Sequence, residues 1–163
     1  MIDDFVTRAR MLAERAHAGQ VDKAGFPYIG HLERVAGYVD PSDPLAQTAA
    51  LLHDSIEDTS LTSYDLADHG IPAPAIEAIE LLTRRPDQNA EDYYQAVREN
   101  ALAREVKLAD LADNSDPARL ALLPDALHAR LTRKYSAAYR ALGACVDDGD
   151  LRRARAHGVQ EPG

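Results

Sequence analysis

The chain has no tryptophan, two phenylalanines and one cysteine in 163 residues. A single Cys145 excludes an intramolecular disulfide and fits a reducing compartment. It stands at apolar spacing from Leu142, where a packed thiol is expected rather than a nucleophile. Nowhere do 18 apolar residues follow one another, and Asp3 and Asp4 stand where a secretory leader would be basic and apolar. Neither a membrane span nor a secretory signal is expected, and the protein is read as cytoplasmic. Cations are scarce: 18 Lys and Arg face 27 Asp and Glu, and the net charge of -9 disfavours nucleic acid as a partner. A small anionic substrate stays open if a metal and a few local cations offset that field. Strand signals are missing too, since no alternating run is bounded by turns. What remains is a chain rich in Ala and Leu, with a hydrophobic content of 45%, enough for one core. The fold class predicted is all-α, a single helical bundle.

Periodicity and breakers divide the bundle. Ile2, Phe5, Val6, Ala9, Ala13 and Ala16 stripe a first helix over 2–18, with Gly19 as its stop. Lys23, Gly25 and Pro27 mark a loop over 20–27, and Leu32, Val35, Ala36 and Val39 a second helix over 28–39. Asp43 caps a third helix that starts at Pro44. Thr62 and Asp65 make a capping box, stapled by Leu61 and Leu66, for a short helix closed by Gly70. Helices follow after Pro72 and Pro74, over 91–99, and over 106–114. Leu127, Leu131, Tyr135, Ala138, Leu142 and Cys145 trace a last helix that packs on the bundle, a homodimer seam being the alternative. The chemistry is therefore placed in a domain over 1–146. From Asp147 to residue 163 the composition is charged and poor in apolar residues, so a frayed tail is expected, with Arg152, Arg153 and Arg155 solvated.

Within the third helix, Leu45, Ala49, Leu52 and Ile56 share one face, and the apolar run ends in His53 and Asp54, then Glu57 and Asp58. Four ionisable groups in six residues at the edge of a buried stripe need partners, because burying even a neutral polar group unpaired costs roughly 2–7 kcal/mol. A divalent cation supplies such a partner, taking neutral imidazole and carboxylate as ligands. Asp110 sits in a similarly apolar stretch, with Asn114 one turn on. His31 lies beside Leu32, whereas His17, His69, His128 and His157 suit capping, core or surface roles. His31, His53, Asp54 and Asp110 together make a two-imidazole, two-carboxylate set suited to manganese, iron, cobalt or zinc. Glu57 or Asp58 then serves as the acid–base couple, unassigned between the two because neighbouring carboxylates titrate together.

His31, His53-Asp54 and Asp110, in that order, resemble the HD-domain metal-dependent phosphohydrolases. Gly19-Gln20, Lys23-Ala24-Gly25 and Pro27-Tyr28-Ile29 with His31 are similar to the opening motif of the hydrolase domain in RelA/SpoT alarmone enzymes. Leu51 to Asp54 with Glu57, Asp58 and Thr59 resembles its central motif, and Val106 to Asp110 with Asn114 its last. The resemblance spans residues 10 to 145 and implies an HD-domain bundle holding one manganese ion on His31, His53, Asp54 and Asp110. It also implies removal of pyrophosphate from the 3′ position of guanosine tetra- or pentaphosphate, with Glu57 and Asp58 over the reacting phosphate. Lys23 is then expected near the phosphates and Asn114 on the nucleotide. Two positions depart from the pattern. Leu32 replaces a common proline, and Asp22 stands where these hydrolases often carry an arginine positioned on the guanine base. A carboxylate there is expected to repel phosphate, so another nucleotide or nucleotide-like cofactor stays open. So does a non-catalytic regulatory domain that binds metal or nucleotide.

Overall fold

Polar side chains at the helix starts set where the chain turns. Asp4, Asp43, Thr62, Asn89, Asn100 and Asp116 each accept a hydrogen bond from a free N–H of the first turn that follows. The structure, a computed structural model, describes residues 4–158. Among these residues there are eleven α-helices and no strand. They are α1 (Phe5–Ala16), α2 (Tyr28–Tyr38), α3 (Pro44–Leu52), α4 (Ser55–Asp58), α5 (Ser63–Asp68), α6 (Ala73–Leu82), α7 (Ala90–Glu99), α8 (Ala101–Asn114), α9 (Pro117–Leu120), α10 (Asp125–Ala141) and α11 (Val146–Ala156). The all-α prediction holds, and the capping box of Thr62 and Asp65 is present in both directions. Ile2 of the first predicted helix lies outside the described residues.

Two central helices carry the core. α3 packs against α1, α2, α6 and α8, and its buried Ala46, Ala49 and Ala50 let those neighbours approach closely. α8 packs against α2, α3, α6, α7, α10 and α11 through Val106, Leu108, Ala109, Leu111 and Ala112. Both helices run their C-terminal turns towards the same region, which is where the ionisable residues stand.

Three expectations are corrected. The third helix does not continue to Ile56: it stops at Leu52, and Asp54 (φ -99, ψ 0) turns the chain before α4. That bridge conformation is sparsely populated and recurs at active sites. Here it lets two successive side chains, His53 and Asp54, face the same point. Cys145 is exposed, because α10 ends at Ala141, with Leu142 as its cap, in a Schellman turn. Gly143 (φ 72) sits in the left-handed region, and Ala144 N–H donates to the Tyr139 carbonyl at 2.9 Å.

The tail is the third. Residues 146–156 form α11, packed on α8 and α2. Arg155 is exposed as expected, but Arg152 is buried, with a two-pronged ion pair to Glu105 (2.8 and 2.9 Å), a bond to Asp148 (2.7 Å) and another to the Tyr38 carbonyl (3.0 Å). Composition alone hides this, since an Arg that pairs with a helix 47 residues away looks like one that meets water. Residues 159–163 of the expected tail lie outside the described part.

Candidate metal centre and its cleft

His31, on the second turn of α2, His53 and Asp54, at the break after α3, and Asp110, near the end of α8, converge. His31 Nε2 lies 3.0 Å from Asp110 Oδ1 and 3.9 Å from Asp54 Oδ2; His53 Nε2 lies 3.1 Å from Asp54 Oδ2 and 3.3 Å from Asp110 Oδ1. The far nitrogen of each ring is already committed. His53 Nδ1 bonds the Ala50 carbonyl at 2.6 Å, and His31 Nδ1 bonds Asp113 Oδ2 at 2.6 Å. Both acceptors take a proton from Nδ1, so in the neutral ring that a metal requires each Nε2 is left as a lone pair aimed into the cluster.

This donor set fits a divalent cation. His53 Nε2 is buried and lacks hydrogen-bond geometry to any partner, despite two carboxylate oxygens nearby. Ligands about 2.1 Å from one ion are about 3 Å apart when adjacent, which matches three of the four separations. His31, His53 and Asp54 could together hold a divalent ion, and an Asp110 oxygen lies beside both imidazoles. With carboxylates alone for company, both imidazoles are held above their ordinary pKa: burial opposes the charge, and it is outweighed at His31 by Asp110 and Asp113 and at His53 by Asp54 and Asp110. Asp54 and Asp110 are held low, against burial, by His53 and by Lys107 respectively.

Around these four stands a supporting layer. Asp110 Oδ2 accepts from Lys107 Nζ (3.0 Å) and its Oδ1 from Asn114 Nδ2 (3.1 Å). Tyr28 donates its hydroxyl to Asp54 Oδ2 at 2.5 Å, and burial with the Asp54 charge pushes the phenol pKa up, so it stays a donor. Asp113 is fully buried and binds His31, Arg34 Nε (2.6 Å) and Arg119 Nη1 (2.6 Å) at once. Asp113, Tyr28, Lys107 and Arg119 were given no role from the sequence. Tyr28 and Lys107 stood there only as members of the opening and last motifs, and Asp113 as an Asp one turn beyond Asp110.

Glu57 and Asp58 stand on the exposed side of Asp54, and one oxygen of each approaches its carboxylate within 4.8 Å. Partial burial and the Asp54 charge push both carboxyls above their ordinary pKa. Glu57 Oε1 accepts from the Arg84 N–H at 3.0 Å, and Gln20 Nε2 donates to the Asp58 carbonyl at 3.0 Å. Gln20 is itself held by His17 Nδ1 at 2.8 Å; His17 is buried at the end of α1, where a core or capping role was expected.

Beside the cluster opens a cleft of about 260 Å³, sharing Tyr28 and His31 with it. Lys23 and Asn114 line it together with Arg119, Leu120, Leu123, Leu131 and Tyr135. Asp22 does not project a free charge into this space. Its Oδ1 accepts from the N–H groups of Ala24 (2.9 Å) and Phe26 (3.0 Å), and its Oδ2 pairs with Arg119 Nη2 (3.0 Å). The expected repulsion of phosphate is thereby largely cancelled.

No protein-family model matches the chain. A GTP pyrophosphokinase of Streptomyces coelicolor is 34% identical over 134 residues, 80% of this chain and 15% of that protein. Guanosine-3′,5′-bis(diphosphate) 3′-pyrophosphohydrolases of Haemophilus influenzae and Vibrio cholerae are each 32% identical, over 71% and 75% of this chain and 19% of theirs. The chain thus spans less than a fifth of the length of these relatives. A solved structure, described as a metazoan orthologue of SpoT that hydrolyses ppGpp, superposes with a TM-score of 0.69 over 98% of this chain and 99% of its own, at 20% identity. Over most of its length the chain is thus similar to these pyrophosphokinases and pyrophosphohydrolases, and its all-α fold is that of the solved SpoT orthologue.

Proposed function

We propose that this protein is a metal-dependent phosphohydrolase that removes pyrophosphate from the 3′ position of guanosine 3′,5′-bis(diphosphate). The observation that carries the reading is the buried, unpartnered Nε2 of His53, set between two carboxylates and beside a second acidic pair. The names of the Haemophilus and Vibrio relatives supply the substrate. In this reading His31, His53, Asp54 and Asp110 hold one ion, manganese. When bound, that ion sets positive charge against the phosphoryl oxygens and acidifies water.

The chain's own groups do the rest. Glu57 or Asp58 receives the proton of the attacking water, and the raised pKa of each suits a base that must later release it. Water oxygen bonds to phosphorus, the bond to the 3′ oxygen breaks, and that oxygen leaves with a proton as the nucleotide's hydroxyl. Lys23, which makes no ion pair among the described residues, meets the phosphates. Asn114 faces the nucleotide with the amide atoms it does not give to Asp110. Tyr28, donating to Asp54, keeps that carboxylate oriented.

The test is a pyrophosphate-release assay on guanosine 3′,5′-bis(diphosphate) with manganese, repeated after chelation. Release that chelation abolishes supports the reading. A purified, metal-loaded protein that releases no pyrophosphate from this nucleotide overturns it.

A further inference from the structure

We propose that Arg119 recognises a planar ring of the substrate by stacking its guanidinium against it, and does not serve as a phosphate hook. The inference rests on the function proposed above, of which it assigns the nucleoside end. Arg119 comes from α9, lines the cleft and keeps 23% of its side chain accessible. Both of its terminal nitrogens are engaged, from two sides. Nη2 pairs with Asp22 Oδ2 at 3.0 Å, and Nη1 with Asp113 Oδ2 at 2.6 Å and the Asp113 carbonyl at 3.3 Å.

Charge decides what such a group can do. The Arg119 guanidinium faces two carboxylates, Asp22 in the loop before α2 and Asp113 in α8, the second of which it shares with Arg34 and His31. An incoming phosphate would have to displace these contacts to reach the Nη atoms, because each is already given to a carboxylate. The flat face of the guanidinium is not consumed by in-plane hydrogen bonds, and a clamped guanidinium stacks on aromatic rings at little further ordering cost. The same cleft supplies apolar walls from Leu120, Leu123 and Leu131 and the ring of Tyr135. Lys23, by contrast, is exposed at the same cleft with no carboxylate on it. The cleft therefore offers two kinds of cation: Lys23, unpaired among the described residues, for phosphate, and Arg119, paired along its edge, for a base.

Calorimetric titration of the manganese-loaded protein with two probes tests the division. Guanosine 5′-diphosphate is the nucleotide product of the proposed reaction, and inorganic pyrophosphate is its other product. Arg119→Lys and Arg119→Ala should both weaken guanosine diphosphate roughly ten- to a hundredfold, the range of a lost base stack. Both should leave pyrophosphate within about twofold, whereas Lys23→Ala should weaken pyrophosphate. Asp22→Asn, which loosens the clamp and keeps the guanidinium, should weaken guanosine diphosphate less than Arg119→Lys does, and keeps the test alive if an Arg119 variant melts early. Arg119→Lys binding guanosine diphosphate as the wild type does, or pyrophosphate weakening in parallel, overturns the inference. If the wild type releases pyrophosphate while Arg119 variants bind normally, only this inference falls. A wild type that binds neither probe and hydrolyses nothing takes the functional proposal with it.

Discussion

Buried charge appears twice in this molecule, in opposite forms. Where α11 docks, Arg152 meets Glu105, Asp148 and the Tyr38 carbonyl, and its guanidinium is satisfied on every side. At the ends of α3 and α8, His31, His53, Asp54 and Asp110 crowd together with an imidazole nitrogen that bonds nothing. The first arrangement closes on itself and has no use for a ligand. The second brings imidazole nitrogens and carboxylate oxygens to one point, an arrangement that could hold a cation. Polar burial by itself separates neither case; the difference is whether the network is satisfied within the chain.

Removing a member should therefore act differently in the two places. Asp110→Ala is expected to abolish metal binding and to cut activity by roughly 10³-fold or more, since the charge against the phosphoryl oxygens goes with the ion. Equilibrium metal content and turnover, measured on the same sample, check that both fall together. Glu57→Gln is expected to keep the metal and lose about 10²–10⁴ in turnover. A fully active, metal-loaded Glu57→Gln protein would remove the acidic couple from the chemistry. Arg152→Ala should do the reverse: metal content and turnover unchanged, stability lower by about 1–3 kcal/mol. A buried pair broken on one side costs ~3–5 kcal/mol, and this one is discounted because Glu105 and Asp148 keep 29% and 32% of their side chains accessible. Denaturant unfolding measures it.

Between these extremes stands Asp113, which belongs to both kinds. It closes a network with Arg34 and Arg119 and also fixes the tautomer of His31. Asp113→Asn should weaken metal binding about 10–100-fold, the usual cost of losing a carboxylate behind a ligating histidine. Unchanged metal affinity with a lowered melting temperature would assign it to the closed kind alone.

The sequence makes the convergent residues readable for a local reason. His53, Asp54 and Asp110 each interrupt an apolar run, and a charge in such a run announces a partner. His31 needed the neighbouring motif as well. Asp113, Tyr28 and Arg119 act only through contacts formed on folding; Asp113 and Arg119 are 6 residues apart, but their meeting with Asp22 spans 97. No periodicity reports such a contact. Asp22 shows the same limit from the other side, since read alone it is a repelling carboxylate and in place it is a counter-ion. The bend at Asp54 was hidden because the hydrophobic stripe continues through Ile56 although the backbone does not. α11 was hidden because its anchors are Arg and Gly. A Cβ at Gly149 would stand 2.3 Å from the Tyr139 hydroxyl, so the close approach of α11 to α10 depends on the missing side chain.

The smallest expected effect tests whether the α11 network is truly closed. Hydrogen bonds from Arg152 hold the Glu105 carboxyl below its ordinary 4.5. A carboxyl depressed in the folded state contributes stability that is fully present above 4.5 and fades as pH falls through the folded value. The stability gap between the wild type and Glu105→Gln should therefore be constant at neutral pH and close below 4.5. Other carboxylates titrate in the same range, but they are common to both proteins and cancel in the difference. Neither variant touches the metal cluster, so activity near neutrality should be the same in both. A gap that persists undiminished at the lowest pH where both proteins fold would mean that Arg152 holds α11 through the Tyr38 carbonyl and packing, with Glu105 as a bystander.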